Sequence, residues 1–383
     1  MELVYNKNQN RKRLLFLIFC IPFVVFVFTS DGHRYTIDEA LGQEMALRMT
    51  TMQPDPNYIE GYSKNFFNIP IMNPTDSGPI CTNGITCYPV SIFYSITQVP
   101  FIAINHYFNI ITNDTLILST EDFSHQHYIF WRNSENKDLV FMELFYSPFF
   151  LALSITIFYL ICLEYKFSRN ISLILTFLLA FSTMFWAYSH TSLNIAPTML
   201  FILLGYLFYK KFQISTKFKF LIFSASSLGF AFLIREDTIL FIVPIWVLLL
   251  FNVLKRNSRI SSVFSFSIPL LFTYFVFRYI PTLRYKFTSE YSAVPIGGEL
   301  SVFLGFSSST VMNMLTAIVG SLFSPGVGLF VFSPILLTIF FSFPDFFRKN
   351  RSDCLLFLSF FGMVLFYHGT LQYWHGLVAW GPR

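Results

Sequence analysis

Long apolar runs recur along this chain at short intervals, and they constrain its fold more than any other feature. Each approaches the roughly 20 residues that a helix needs to cross the hydrocarbon core of a bilayer. The runs lie at 14–30, 144–163, 171–188, 195–209, 219–234, 238–254, 260–280, 326–343 and 354–370. Only 12% of the 383 residues are charged, against about 25% in soluble domains. The sequence therefore predicts an all-α polytopic membrane protein with about nine transmembrane helices.

Basic clusters between these runs predict the topology. Lys and Arg concentrate at 10–13, 164–170, 210–219, 255–259 and 348–351. Nine spans with a cytoplasmic N-terminus put all of these clusters on the cytoplasmic side, as the positive-inside rule expects. The first run is longer than a signal-peptide core and lacks a small-residue cleavage site, which predicts a retained first span. The net charge of +5 is modest and sits in these clusters, so no nucleic-acid partner is predicted.

The segment 31–143 is predicted to be a large folded extracytoplasmic loop after the first span, because it is too long for a connector and too apolar for a disordered tail. It contains an amphipathic helical pattern at 37–49. It also contains an apolar run at 88–104 that Pro89 and Pro100 interrupt, which favours an interfacial helix over a tenth span.

The chain is therefore predicted to be one transmembrane domain over 1–383, with a helical bundle at 144–370 and an outer loop at 371–383. Inside the extracytoplasmic loop, Cys81 and Cys87 flank an Asn-Gly turn. Either a small disulfide-closed hairpin or two unpaired thiols fits that pattern.

Two adjacent carboxylates, Asp38 and Glu39, follow the first span directly. Thr36 and Glu39 have the spacing of a capping box, in which both side chains satisfy backbone N–H groups at a helix start. Asp38 would then lie in the first helical turn, where the helix dipole favours its ionised form. A purely structural role for the pair is one interpretation. A functional role for Asp38 is the other, since the cap does not use both of its oxygens.

Other polar groups collect in the predicted outer connections. The loop 188–194, "YSHTSLN", is either a polar interfacial turn or a site that includes His190. Arg235, Glu236 and Asp237 form either a local ion-pair network or a ligand site, because charges this close to a bilayer need a partner. At the C-terminus, Trp374 and Trp380 fit an interfacial aromatic belt, whereas Arg383 fits bidentate binding of a phosphate.

No metal site is predicted. The stretch "EDFSHQH" at 121–127 contains His125 and His127 after two acidic residues, but its spacing matches no specific ligand motif. Phosphate-binding glycine loops and Ser/His/Asp signatures are also missing from the sequence.

Taken together in their order along the chain, these stretches resemble the GT-C superfamily of integral-membrane glycosyltransferases. The branch that is most similar contains protein O-mannosyltransferases and lipid-linked sugar transferases. The resemblance is carried by the "DE" pair after the first span, the "YP" before the apolar run of the loop, and three later stretches. These are "FWAYSHTSLNIAPTMLFILL", "GFAFLIREDTILFIVP" and "WHGLVAWGPR".

Two features depart from the family's pattern. Asn194 stands where many relatives have an acidic residue, so the resemblance assigns no second catalytic carboxylate to that loop. The sequence also ends at Arg383, inside a stretch that further spans follow in relatives, which leaves a truncated chain as one expectation.

The resemblance implies a glycosyltransferase that moves a sugar, with inversion, from a dolichyl or undecaprenyl phosphate to a protein, lipid or glycan acceptor. The reaction would take place on the extracytoplasmic face of the plasma membrane or, in a eukaryote, of the endoplasmic reticulum. It implies Asp38 as the base with Glu39 in support, and Arg235, Arg383 and His190 as ligands of the lipid phosphate. Beyond the lipid-linked donor no cofactor is required, and a divalent metal is left open.

Two other functions compete with this one. A transporter or flippase for a lipid-linked or amphipathic substrate would account for the spans. It gives no reason for a large folded loop after the first span, and the paired internal repeats of many transporters are not evident. A polymerase or ligase of lipid-linked glycans shares the donor but usually lacks the carboxylate pair after the first span.

Overall fold

The computed structural model describes residues 2–30, 39, 42–43, 46, 49–50, 80–81, 85–86, 91–112, 140–255, 259–287, 311–326 and 328–370. These residues are almost entirely helical, which confirms the predicted fold class at that level. The helices in chain order are α1 (Glu2–Thr29), α2 (Ile92–Thr112), α3 (Val140–Glu164), α4 (Arg169–Phe181), α5 (Met184–Tyr188), α6 (Ile195–Ser215), α7 (Phe218–Ile234), α8 (Ile239–Leu254), α9 (Ser261–Phe287), α10 (Val311–Phe323), α11 (Leu329–Phe332), α12 (Ile339–Lys349) and α13 (Arg351–Thr370). Two 3₁₀ turns, Glu236–Thr238 and Pro334–Thr338, precede α8 and α12.

The loop after the first span contributes three described parts. Residues 39, 42, 43, 46, 49 and 50 are helical, and we call them segment 39–50. A two-residue antiparallel ladder pairs β1 (Ile80–Cys81) with β2 (Ile85–Thr86). Cys87 lies outside the described residues, so the disulfide remains a prediction. Helix α2 begins after Pro89, keeps Pro100 inside it and packs against α3.

Four helical stretches among the described residues are long and apolar enough to cross a membrane: Arg11–Thr29, Phe141–Glu164, Ile195–Ser215 and Glu236–Leu254. Four shorter apolar helices accompany them: Arg169–Phe181, Phe218–Ile234, Ser261–Phe277 and Met314–Phe323. The chain is therefore an integral membrane protein. Its predicted total of nine spans and its orientation remain predictions.

Two of the predicted spans are broken into shorter helices. The run 171–188 divides at Ser182 and Thr183, where Thr183 caps α5 by accepting a hydrogen bond from Phe185 N at 3.3 Å. Ser and Thr favour such caps because their side chains satisfy free backbone N–H groups. The run 326–343 divides at Ser333, between α11 and the turn that leads into α12. The predicted outer connection 281–325 also contains helix α10, which packs against α13.

The core consists of two apolar clusters. One joins α1, segment 39–50, α2, α3 and α6 around the buried side chains Phe26, Tyr94 and Tyr146. The other joins the ends of α3 and α6 to α7, α8, α9 and α13 around Tyr209, Leu228 and Phe266. Helix α6 contributes to both clusters, so it connects the two parts of the bundle.

Candidate functional site

Ser192 lies in the loop between α5 and α6, and side chains from distant parts of the chain contact all of its polar groups. Its backbone N–H donates to Glu39 Oε1 at 2.8 Å. Its hydroxyl oxygen accepts from Gln43 Nε2 at 2.8 Å. Its carbonyl oxygen accepts from the Tyr94 hydroxyl and from Gln98 Nε2, the latter at 3.4 Å. We call these four side chains with Ser192 the Ser192 clamp.

The clamp residues are fully buried, since Glu39, Gln43, Tyr94 and Gln98 each have 0% of their surface exposed and Ser192 has 3%. A buried carboxylate needs hydrogen-bond donors to offset its lost hydration. The Ser192 N–H supplies one of them. Segment 39–50 and α2 are therefore fastened to the loop at 189–194 by polar contacts as well as by the apolar core.

His190 lies two residues before Ser192 and contacts the end of the first helix. Its Nε2 is 3.2 Å from Thr29 Oγ1, and the Trp186 indole N–H donates to the same oxygen at 3.0 Å. The loop is thus held on one side by the clamp and on the other by Thr29. The His190 imidazole is half-buried at this junction.

A cavity of about 780 Å³ adjoins His190. Its lining is mainly apolar and comes from the end of α4, from α5 and its loop, and from the segment around the second 3₁₀ turn. The lining residues are Phe181, Ser182, Thr183, Met184, Trp186, Ala187, His190, Thr191, Phe332, Pro334, Ile335 and Thr338. The break at Ser182 and Thr183 therefore forms part of the wall. An apolar cavity with one imidazole and several hydroxyls suits an amphipathic ligand.

Arg235 caps the C-terminal end of α7 and is paired with Asp237. Its Nε lies 2.9 Å from both Asp237 oxygens, and its Nη2 donates to Oδ2 at 2.6 Å. Burial acts to lower the pKa of Arg235, but the charge and hydrogen bonds of Asp237 outweigh it. Tyr367 and Tyr188 add to this effect, so the pKa is raised and the guanidinium stays charged.

The structure brings Arg235 to the same end of the bundle as the Ser192 clamp. Ser91, at the start of α2, donates its hydroxyl to the Leu233 carbonyl near the end of α7. Tyr188, which ends α5, contributes to the electrostatics of Arg235 and is two residues from His190. Arg235 is not one of the residues that line the cavity. The guanidinium and the cavity nevertheless lie at the same end of the bundle.

The sequence-predicted site residues separate into two groups. Glu39, His190 and Arg235 are described and lie at this end of the bundle. Asp38 and Arg383 lie outside the described residues, so their roles remain predictions. His125 and His127, for which no metal role was predicted, also lie outside them. The Arg235–Asp237 pair agrees with the local ion-pair interpretation of that stretch.

Sequence reasoning missed Gln43, Tyr94 and Gln98 as members of the site, and it considered Ser192 only as one of the polar residues of the loop 188–194. A signal was present: Glu39 and Gln43 have helical i, i+4 spacing, as do Tyr94 and Gln98, so each pair shares one helix face. Nothing in the sequence showed that both faces meet Ser192.

Asn194 directly precedes α6, and its carbonyl accepts hydrogen bonds from the Thr198 N–H and hydroxyl at 3.2 and 2.6 Å.

No group of three or more His, Cys, Asp or Glu side chains suited to a metal occurs among the residues that the structure describes. Two acidic side chains at this end of the bundle, Glu39 and Asp237, each contact a protein donor.

The opposite end of the bundle contains a second polar cluster. Lys210 on α6 forms an ion pair with Asp353 on α13, and its ammonium lies 4.3 Å from the Tyr165 ring centroid. The hydroxyls of Tyr165 and Tyr206 hydrogen-bond to each other. We call Lys210, Asp353, Tyr165 and Tyr206 the Lys210 cluster. Burial raises the pKa of Tyr165, so its phenol stays protonated.

Three predicted cytoplasmic basic clusters meet around the Lys210 cluster. The Tyr165 ring packs against Phe346 of α12 with centroids 5.7 Å apart, which joins the loop 164–170 to the segment before 348–351. Lys210 begins the third basic stretch, 210–219. The chain from Pro334 to Lys349 therefore runs from the cavity beside His190 to the Lys210 end.

Comparison with known protein families relates this apolar helical bundle, with its polar site at one end, to a class of membrane enzymes. Residues 142–280 match a family model, and the match identifies this segment as a GT-C-type glycosyltransferase domain. The family is described as dolichyl-phosphate-mannose-protein mannosyltransferase. This match confirms the resemblance stated above: residues 142–280 are similar to membrane glycosyltransferases of the mannosyltransferase type. No curated protein and no solved structure gave a significant match.

Proposed function

We propose that this protein transfers a sugar from a polyprenyl-phosphate donor to an acceptor on the extracytoplasmic side of the membrane. The observation that carries the proposal is the family match, which contains both His190 and Arg235. Support comes from the structure, in which Glu39 contacts Ser192 next to these residues. By the family's description, mannose on dolichyl phosphate is the first donor to test.

The transfer consists of one displacement at the anomeric carbon of the sugar. The acceptor hydroxyl oxygen forms the new bond to that carbon while the bond to the phosphate oxygen breaks, and the phosphate leaves with the bonding electron pair. The acceptor proton goes to a carboxylate, for which we propose Asp38. Asp38 is bonded to Glu39 in the chain, so the contact between Glu39 and Ser192 limits the distance of the Asp38 backbone from the site.

The leaving lipid phosphate gains negative charge and needs cationic or hydrogen-bonding partners. We propose Arg235 and Arg383 for that role, with His190 as a third contact. The raised pKa of Arg235 keeps its guanidinium charged, which suits the binding of a phosphate. The apolar cavity beside His190 would accommodate the isoprenoid part of the donor, since its lining is mostly hydrophobic.

The test uses the full chain in liposomes with a short-chain polyprenyl-phosphate mannose and a panel of protein, lipid and glycan acceptors. We expect bond cleavage and transfer by the wild type. Asp38→Asn should lower turnover by about 10²- to 10⁴-fold, the usual contribution of a general base. Unchanged turnover in Asp38→Asn would remove Asp38 as the base.

The same liposomes test the competing function. Movement of the intact lipid-linked sugar between leaflets without cleavage of the sugar–phosphate bond would support a flippase instead. The two results differ in product, since only a transferase releases polyprenyl phosphate.

A further inference from the structure

The Ser192 clamp joins four side chains from two separate elements to one residue of the loop that contains His190. Glu39 and Gln43 come from segment 39–50, whereas Tyr94 and Gln98 come from α2. Ser192 is separated from Glu39 by 153 positions in sequence. Its N–H, hydroxyl and carbonyl are all engaged, so the loop backbone has little freedom at this point.

We propose that Glu39 is a positioning residue that acts through Ser192, holding the loop 189–194 so that His190 faces the cavity, and that it takes no proton in the reaction. This proposal rests on the proposed function for its effect on turnover. Glu39 is fully buried and one oxygen accepts the Ser192 N–H. A carboxylate in that position is engaged with the protein, and Glu39 is not among the residues that line the cavity.

Thr29 provides the second contact that holds this loop in place. Its hydroxyl contacts both Trp186 and His190, and both of these residues line the cavity. The loop is therefore fixed at two points, with His190 between them. Loss of the Glu39 contact would leave the Ser192 N–H without this acceptor and would loosen the loop beside His190. An error of about 1 Å in a catalytic geometry costs about 10²-fold in rate.

The first experiment compares Glu39→Gln with Glu39→Ala in the liposome assay. The Gln side chain keeps an oxygen that can accept the Ser192 N–H, but it cannot accept a proton. We expect Glu39→Gln to keep turnover within about 5-fold of wild type and Glu39→Ala to lose about 10²-fold. Equal losses for both variants would show that the negative charge itself is needed, which would overturn the proposal.

A double-mutant cycle tests the route through His190. If Glu39 acts by orienting His190, then Glu39→Ala should add little to the defect of His190→Ala, because residues that act as a unit are non-additive. Multiplying defects would show two independent roles and would contradict the proposal. Full activity of His190→Ala would contradict it as well.

Amide hydrogen exchange on the full chain gives a readout that needs no sugar donor. We expect Glu39→Ala to raise exchange in the peptide that covers 189–194 by at least about 10-fold, and Glu39→Gln to leave it near wild type. Unchanged exchange in Glu39→Ala would overturn the clamp even if the enzyme is active. An inactive wild type with the expected exchange pattern would instead contradict the proposed function alone.

Two serine variants separate an effect on the site from a general loss of stability. Ser192→Ala changes the clamp, and Ser224→Ala is its matched control. Among the contacts between described residues, Ser192→Ala removes the one to Gln43 and keeps those to the Ser192 backbone, so it is milder than Glu39→Ala and should lower turnover several-fold. Ser224 donates its hydroxyl to the Gly205 carbonyl at 2.8 Å, also buried and between two helices. Ser224→Ala should lower the melting temperature to a similar degree with turnover unchanged. If Ser224→Ala lost as much turnover as Ser192→Ala, a general loss of stability would explain the turnover loss of Ser192→Ala, and the proposal would be overturned.

Discussion

The Ser192 clamp and the Lys210 cluster lie at opposite ends of helix α6 and use buried polar groups in different ways. From Ile195 to Lys210 the helix rises about 22 Å. In the clamp, a carboxylate and three neutral side chains hold a loop backbone beside a cavity. In the Lys210 cluster, a carboxylate is paired with an ammonium, and both belong to helices.

The difference shows how the partner of a buried carboxylate relates to its role. An ion pair between two helices fixes their relative position and satisfies its own charge. A carboxylate bound to a loop backbone fixes a segment that carries a site residue. We therefore expect changes at the Lys210 end to affect stability, and changes at the Ser192 end to affect turnover as well.

The largest effect is expected for Asp353→Ala, which leaves the Lys210 ammonium buried without its partner. The two side chains are only 4% and 12% exposed. Removal of one member of such a pair costs about 3–5 kcal/mol in the free energy of unfolding. Denaturant unfolding in detergent micelles measures the loss. The control combines Asp353→Ala with Lys210→Met, which should recover much of it. A loss below about 1 kcal/mol would place the pair among weak surface ion pairs.

A smaller effect is expected at Gly205, where α6 crosses α7 between the two regions. A Cβ at this position would lie 2.6 Å from Leu228 Cγ and 3.3 Å from the Ser224 carbonyl oxygen. Overpacking of this kind costs about 1–3 kcal/mol, so Gly205→Ala should lower the melting temperature. Gly362→Ala is the control, because nothing lies within 4 Å of its added Cβ. Equal melting temperatures for the two variants would contradict the close crossing.

Matched tyrosine variants test the comparison directly. Tyr94→Phe removes a hydrogen bond to the Ser192 carbonyl, and Tyr206→Phe removes the one to Tyr165. Each should cost about 1 kcal/mol of stability. Only Tyr94→Phe should also lower turnover, since only that hydroxyl contacts the loop beside the cavity. Equal turnover in the two variants would remove the functional distinction between the two ends.

The smallest effect is expected at Thr216, which follows α6 in a left-handed conformation with φ of 56°. This conformation is unfavourable for a β-branched residue and easy for glycine. Thr216→Gly should raise stability by about 0.5–1 kcal/mol with turnover unchanged. Ser215→Gly is the control, because glycine inside the helix should lower stability by a similar amount. A loss of stability in Thr216→Gly would show that its side chain matters more than its backbone.

The sequence predicted the helices well because their signal is local. Nine apolar runs led to helices at most of the predicted positions, and the GT-C resemblance was confirmed over 142–280. The breaks at Ser182 and Ser333 were missed because the apolar runs continue through them. Ser and Thr are tolerated inside membrane helices, so their presence alone does not predict a break.

The site was predicted in part. Glu39, His190 and Arg235 were selected from the sequence, and the structure brings them to one end of the bundle. The capping-box interpretation of Glu39 did not include the contact to Ser192. Gln43 and Gln98 were missed because amide side chains carry no charge or motif that marks them.

By itself, the sequence determined that this chain forms apolar helices and resides in a membrane, since backbone groups in a bilayer must be satisfied within the helix. It also determined the class of glycosyltransferase to which residues 142–280 are similar. Only the tertiary structure decided which polar side chains meet, because those contacts join residues more than 90 positions apart. Helix packing, which depends on the whole bundle, placed Glu39 against Ser192 and Lys210 against Asp353.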